Sequence, residues 1–439
     1  MTDATSSEEH SERQAGKVPR RRFLRLAGLG VAAAASAGGI YDLLRSDEPA
    51  DKQPPLPALR GKIAPNPNLA QRTLVVIELT GGNDGLNTVA PLGDGRYHDL
   101  RPNVALAATD VVDLGDGMGL HRGLAPLLPQ LALLQGVGAS ASDLSHFEMM
   151  QRWWRGDPDG RSNESSGFLG RCCDVVSVGQ PIVGVTIGSG ASPALLAERA
   201  STLGLTGTDV ARAMGDSSDR EAAALREGFL LMSGVTGQIG TASTPDVGQV
   251  VVARSGLGQA INIVDLLGSL PAPSEPGYQG GQLANHLTFA SRLLRANVGV
   301  RIIHIPWGDF DTHEGQRGRH DGLLTELGAA TTYFLADMER SGRAGDVLVA
   351  TTSEFGRRPQ SNASGTDHGT ASLAMVAGPV VAGLHGAAPS LRQLDDQGNL
   401  IPTTNLAEYY ATLAAWLGVP ANEVLQRGTW SPIPGVLSS

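Results

Sequence analysis

Six short, almost uninterrupted aliphatic runs mark this chain: TLVVIEL at 73–79, LALLQGV at 131–137, IVGVTIG at 182–188, VGVRIIHI at 298–305, DVLVATTS at 346–353 and SLAMVAG at 372–378. Runs this short and this apolar predict strands of a sheet covered on both faces. Between them lie helix-like segments: SHFEMMQRWW, SDREAAALREGFLLM, VGQVVVARSGLGQAINIVDLLG, GQLANHLTFASRLLRA, GLLTELGAATTYFLADMER and NLAEYYATLAAWLG. The alternation predicts an α/β fold, a mostly parallel sheet sandwiched by helices. Residues 200–275, helical or irregular in pattern, read as a helical insertion or cap.

The N-terminal region has a different character. Residues 19–25 read PRRRFLR and precede LAGLGVAAAASAGGI, whose 15 residues are too few to span a bilayer. Arg20 and Arg21 with Phe23, Leu24 and Arg25 resemble a twin-arginine export signal, with Ala35-Ser36-Ala37 suited to a signal peptidase. The expected divisions are a signal peptide over 1–37, a flexible Pro- and charge-rich linker over 38–70 and a folded body over 71–439. The signal's pattern implies the twin-arginine translocase as a partner and a periplasmic, cell-envelope or extracellular location.

Charge narrows the function. The first 37 residues hold six basic and four acidic side chains, so the rest of the chain carries −12 against −10 for the whole. An acidic body with no basic cluster lacks the surface that a nucleic-acid binder presents to phosphates. The two cysteines, Cys172 and Cys173, are adjacent in FLGRCCDVVS and read as small residues of a helix, one of them partly buried.

In open α/β sheets ligands gather beyond the carboxyl ends of the strands, and polar residues accumulate after four of the six runs. TGGNDGLNT at 80–88 is either a Gly-rich turn or a turn that holds Asp84 as a carboxylate ligand. Ser145 and Glu148 have capping-box spacing; the same position puts the serine hydroxyl in the field of a helix N-terminus, suited to an oxyanion or a nucleophile. Asp311 and His313, in PWGDFDTHEG, form an Asp-x-His pair of the kind that ligates zinc, manganese or iron. Last, Glu354 ends a strand, Arg357 or Arg358 suits an anionic substrate group, and His368 returns on the turn TDHG.

These stretches resemble a family of secreted bacterial proteins known only as domain of unknown function 1501. The likeness lies in LTGGNDGLNTVAPL, RPNVALA, SHFEMMQRWW, GQLANHLTFASRLL, DFDTHEG and TSEFGR with GTDHGTAS, spread between residues 74 and 420. The resemblance implies an alkaline-phosphatase- and sulfatase-like fold with one or two divalent metal ions, zinc, manganese or calcium, at the carboxyl edge of the sheet. It implies Asp84, Asp311, His313, Glu354 and His368 as metal ligands, Ser145 as nucleophile with His146 beside it, and Arg357 on the equatorial oxygens of an anionic ester substrate. Phe355 departs from the superfamily pattern, which often carries a histidine at that place.

The implied activity is metal-dependent hydrolysis of phosphate or sulfate esters. A non-catalytic exported binding protein that keeps the fold, and a cell-envelope group transferase, are the alternatives. Trp153 and Trp154 read as packing residues or pocket rim, and Tyr409, Tyr410 and Trp416 as core. His98, His304, His320 and His385 read as surface or satisfied core, and His121 has no assigned role.

Overall fold

The computed structural model describes residues 72–139, 143–162, 165–178, 182–206, 280–425 and 428–438. The expected signal peptide, the linker, the helices SDREAAALREGFLLM and VGQVVVARSGLGQAINIVDLLG and nearly all of the expected cap lie outside these residues.

Each of the six aliphatic runs contains a strand of one nine-stranded sheet. They are β1 (Thr73–Leu79), β5 (Leu131–Gly138), β6 (Gly184–Gly188), β8 (Ile302–Trp307), β9 (Val347–Ser353) and β12 (Ser372–Ala377). Three shorter strands, β7 (Thr202–Thr206), β13 (Gly383–His385) and β14 (Thr404–Asn405), complete it. The order is β13-β5-β12-β9-β1-β8-β6-β7, with β14 also on β5. Every pairing is parallel except those of β12, which runs against β5 and β9. The mostly parallel α/β expectation therefore holds.

Both sheet faces are dry, which is why the strands read as continuous rather than alternating. Val75, Ile77 and Leu79 of β1 face one core, shared with the helices Gly281–Ala296 and Gln316–Arg340. Leu74 and Val76 face the other, shared with the helices His146–Arg155, Phe168–Val176 and Leu406–Leu417. Full burial of each such side chain stabilises by about 1.5–3 kcal/mol. Cys172 and Cys173 are both fully buried free thiols, so the expectation of one partly buried cysteine is corrected.

Several boundaries differ from the sequence reading. The run 298–305 becomes a strand only at Ile302, because Asn297 (φ 50°) and Gly299 (φ 94°) turn the backbone left-handed after the helix Gly281–Ala296. The helix expected from Gly322 begins at Gln316, its first turns hidden by the polar, Gly-containing run QRGRHDG. The stretch after β9, read as a loop, is an antiparallel hairpin of β10 (Gly356–Ser361) and β11 (Thr366–Gly369) that pairs Arg357 with His368. A small sheet of β2 (Val89–Ala90), β4 (Met118–His121) and β3 (Val111–Gly115) had no clear strand pattern.

The direction of β12 matters for function. An antiparallel strand begins where its parallel neighbours end. Residues just before Ser372 therefore arrive at the same edge as the segments that come after β1, β5, β8 and β9.

Candidate metal centre

Four segments deliver ionisable side chains to this edge. The helix His146–Arg155 comes after β5 and presents His146 in its first turn. The turn after β8 supplies Asp311 and His313, the residue after β9 is Glu354, and the second hairpin strand supplies Asp367 and His368.

Three imidazoles converge on one carboxylate. His368 Nε2 lies 3.2 Å from Asp311 Oδ1 and 2.9 Å from His313 Nε2. His313 Nε2 is 3.1 Å from Asp311 Oδ1, and His146 Nε2 is 3.7 Å from Asp311 Oδ2. The donor atoms of His146, Asp311 and His368 all lie within 4.8 Å of one another.

The far nitrogen of each ring is held by an acceptor. His368 Nδ1 donates to the Leu144 carbonyl oxygen at 2.8 Å. His146 Nδ1 pairs with Glu354 Oε2 at 2.8 Å, and His313 Nδ1 with Asp367 Oδ1 at 3.1 Å. Holding a proton on Nδ1 leaves the Nε2 lone pair for coordination, the usual orientation of metal-ligating histidines.

Electrostatics agree with the geometry. Burial lowers the His368 pKa against the raising effect of the Leu144 carbonyl, and the Arg357 charge lowers it further, which favours the neutral form that can coordinate. Burial by itself raises the Asp311 carboxyl, but the hydrogen bond and charge of Arg357, with His368 and His313, bring it below the ordinary carboxylate value. Glu354 is raised, chiefly by burial, against the opposing pull of the Gly81 amide and His146.

The donor set fits a divalent cation. Ligands about 2.1 Å from a common ion in a tetrahedral arrangement lie roughly 3.4 Å from one another. The closest pairs, 2.9 to 3.7 Å apart, bracket that value, and the whole His146, Asp311 and His368 group lies within 4.8 Å. Three imidazoles and one carboxylate suit zinc, manganese or iron. Calcium prefers six to eight oxygens, which these residues do not offer.

Four expected roles change, the first being that His146, expected beside the nucleophile, turns its Nε2 toward Asp311 as a ligand candidate. Glu354 stands behind His146: Oε2 accepts from His146 and Oε1 from the Gly81 amide, a place from which it orients a ligand candidate. Asp84 is buried and apart from the cluster. Its Oδ1 accepts from the Leu86 and Asn87 amides, and its Oδ2 from Arg101 at 2.6 Å and Gln316 at 2.5 Å. Arg357, expected on the substrate, has a fully buried side chain. Its guanidinium donates to Gly82 O, Thr366 O, Gly81 O, Phe310 O and Asp311 Oδ1, and so cannot reach an incoming anion.

Ser145 is the exposed N-cap residue of its helix. The expected capping box does not form: the serine hydroxyl makes no cap bond, and Glu148 pairs with Arg152 at 3.2 Å. Ser145 sits between Leu144, latched to His368, and His146, latched to Glu354.

The wall beneath the centre is close-packed. Gly81 (φ 101°) and Gly82 (φ 89°) turn where a side chain has no room: a Cβ on Gly81 would lie 2.4 Å from the Asp311 amide nitrogen, and one on Gly82 2.4 Å from the Phe355 ring. Phe355, fully buried, packs on His146 and His368 with ring centroids 4.8 and 4.3 Å apart. The departure from the superfamily pattern thus places an apolar ring against two ligand candidates.

Other residues had little or no sequence signal. Glu78, inside a buried strand, accepts from Trp154 Nε1 at 2.7 Å and pairs with His304 at 3.1 Å, tying the His146 helix to the sheet. Trp153 is core, while Trp154 has this polar task. His121 caps a 3-10 turn through the Gly123 amide and pairs with Asp321. Arg101 lay within the RPNVALA stretch without an assigned partner; Asp367 was visible in TDHG but unassigned.

Comparison with solved structures finds low-identity likenesses. A protein in the alkaline phosphatase superfamily from Vibrio parahaemolyticus aligns at TM-score 0.39 with 10% identity, covering 83% of this chain and 71% of that one. The lipoteichoic acid synthase of Listeria monocytogenes aligns at 0.38 with 9% identity, covering 85% and 80%. A sulfatase from Pseudoalteromonas sp. aligns at 0.37 with 10% identity, covering 81% and 70%. No curated protein matches the chain. A family model, described as Protein of unknown function (DUF1501), matches residues 132–429, more than half of the sequence, and the chain belongs to that family.

Proposed function

We propose that the protein is a metal-dependent hydrolase of phosphate or sulfate esters. One observation carries the reading: His146, His313 and His368 each have Nδ1 tied to an oxygen acceptor and turn Nε2 toward Asp311. His146, Asp311 and His368 would hold the ion, with His313 beside them. When bound, a divalent ion polarises an ester oxygen and neutralises the charge that develops on it.

The chain's own groups supply the rest. Glu354 holds His146 through Nδ1 from a buried position and so keeps its Nε2 turned toward the ion site. Arg357 keeps Asp311 ionised and fixed. Ser145 is the candidate nucleophile, held beside the ligands by its two anchored neighbours. Phe355 excludes water from beneath the imidazoles. The Arg20-Arg21 pattern supports export by the twin-arginine translocase and action outside the cytoplasm.

The sequestration of Arg357 favours a second reading, an exported binding module without turnover, because the side chain expected to grip the anion is occupied. The test is elemental mass spectrometry of the purified chain beside an Asp311→Ala/His313→Ala variant, and then a screen of phosphate and sulfate esters. Metal present in the parent and lost in the variant, together with ester turnover, is the expected result. Metal without turnover of any ester supports the binding module; no metal after reconstitution with zinc or manganese sinks the hydrolase.

A further inference from the structure

We infer that this edge of the sheet is a single-ion centre, and that the Arg101 guanidinium supplies at Asp84 the fixed positive charge that a second ion would supply. The inference rests on the metal-centre reading above.

Besides Asp311 and Glu354, the expected ligand set places a third carboxylate, Asp84, at this edge. A carboxylate has about four acceptor positions. Two on Asp84 take the Leu86 and Asn87 amides, and two take Arg101 and Gln316. Arg101 is itself locked: Nε donates to Pro359 O at 3.0 Å, Nη2 to Arg358 O at 2.8 Å, and Nη1 also reaches Asn87 Oδ1 at 2.8 Å. Both side chains of the pair are 0% exposed. A guanidinium does not deprotonate in a protein, so the charge beside Asp84 persists at every working pH. A divalent ion brought there would meet a permanent cation and would have to displace hydrogen bonds that join two loops and a helix.

Among the described residues, the polar neighbours of Asp84 are engaged elsewhere. His320 pairs with Asn83 Oδ1 through Nε2 at 2.9 Å, and Gln316 Oε1 accepts from Thr366. The Phe355 ring stands against Gly82, between the Asp84 turn and the imidazoles. Among the described residues, the one convergent group of three or more ligand-type side chains is His146, Asp311 and His368. Asp84 with Arg101 is therefore a positioning pair: it joins the turn after β1 to the helix carrying Gln316 and to β10.

Native mass spectrometry of the full chain, with elemental analysis after loading with zinc or manganese, counts the ions directly. We expect one equivalent per chain, and one equivalent still in Asp84→Asn, whose melting temperature falls. Two equivalents on the parent protein would overturn the single-ion inference and leave the hydrolase reading standing. No ion at all would remove the reading on which it rests. If Asp84→Asn fails to fold, Arg101→Lys replaces it with the charge kept, and the parent count still decides. An Asp84→Asn protein that is folded by circular dichroism yet metal-free would make Asp84 a ligand and refute the pair's proposed role.

Discussion

His368 donates its Nδ1 proton to the Leu144 carbonyl oxygen at 2.8 Å, and this bond joins the last hairpin strand to the segment that carries Ser145 and His146. Two ligand candidates 222 positions apart in the chain, His146 and His368, are thereby set with their rings 4.4 Å apart. The bond also selects the tautomer that frees His368 Nε2.

In the proposed metal centre, Glu354 would act on the ion through His146. Glu354→Gln keeps the size but weakens the hold on Nδ1, and metal affinity should fall roughly 10–100-fold, the range for residues that orient a ligand. Competition with a chromophoric chelator measures it. An unchanged affinity would show that the His146–Glu354 bond does not set the ligand's orientation.

Arg357 binds four carbonyls and Asp311 from a fully buried position. Arg357→Met leaves those acceptors unmatched and should destabilise the fold by about 3–5 kcal/mol. Arg357→Lys keeps charge without the fork; with less stabilisation of its carboxylate, Asp311 should protonate at higher pH, and the acid limit of metal binding should move upward. Chemical denaturation and metal affinity against pH test the two parts. A downward movement of the acid limit would contradict the role given to Arg357.

Ser145 is exposed and its hydroxyl takes no part in capping. Ser145→Ala should abolish ester turnover, leave the metal content unchanged and shift the melting temperature little. Retained turnover would transfer the attack to water.

His320 is buried, donates toward Asn83 and has its pKa pushed down to about 4, first by burial. In the unfolded chain its pKa returns to about 6.5, so between those values the unfolded state binds more protons and stability falls as the solution is acidified. Relative to His320→Gln, the parent should lose on the order of 3 kcal/mol between pH 7 and pH 4. Denaturation curves at several pH values give the comparison, and parallel slopes in the two proteins would mean that native His320 takes up its proton as readily as the unfolded chain.

The six aliphatic runs determined the sheet, because a strand buried on both faces must be apolar at consecutive positions, and that pattern is local. The polar residues just after β1, β5, β8 and β9 were equally legible, since the edge on which they fall is set by strand direction. His146 entered only beside Ser145, through the family resemblance, while Asp311, His313 and His368 could thus be named from sequence as candidates for one edge. What each side chain does there could not. Asp84 and Asp311 look alike as acids after strands, yet one faces the buried guanidinium of Arg101 and the other three imidazoles. Arg357 and Arg358 look alike as neighbours, yet alternation along β10 buries Arg357 on Asp311 and leaves Arg358 half-buried, its Nε on the His368 carbonyl. Ligand or support, gripping arginine or locked one, was decided by tertiary structure. A carboxylate or guanidinium is available only if its acceptors or donors are not already matched, and the matching partners here lie up to 276 positions away in the chain.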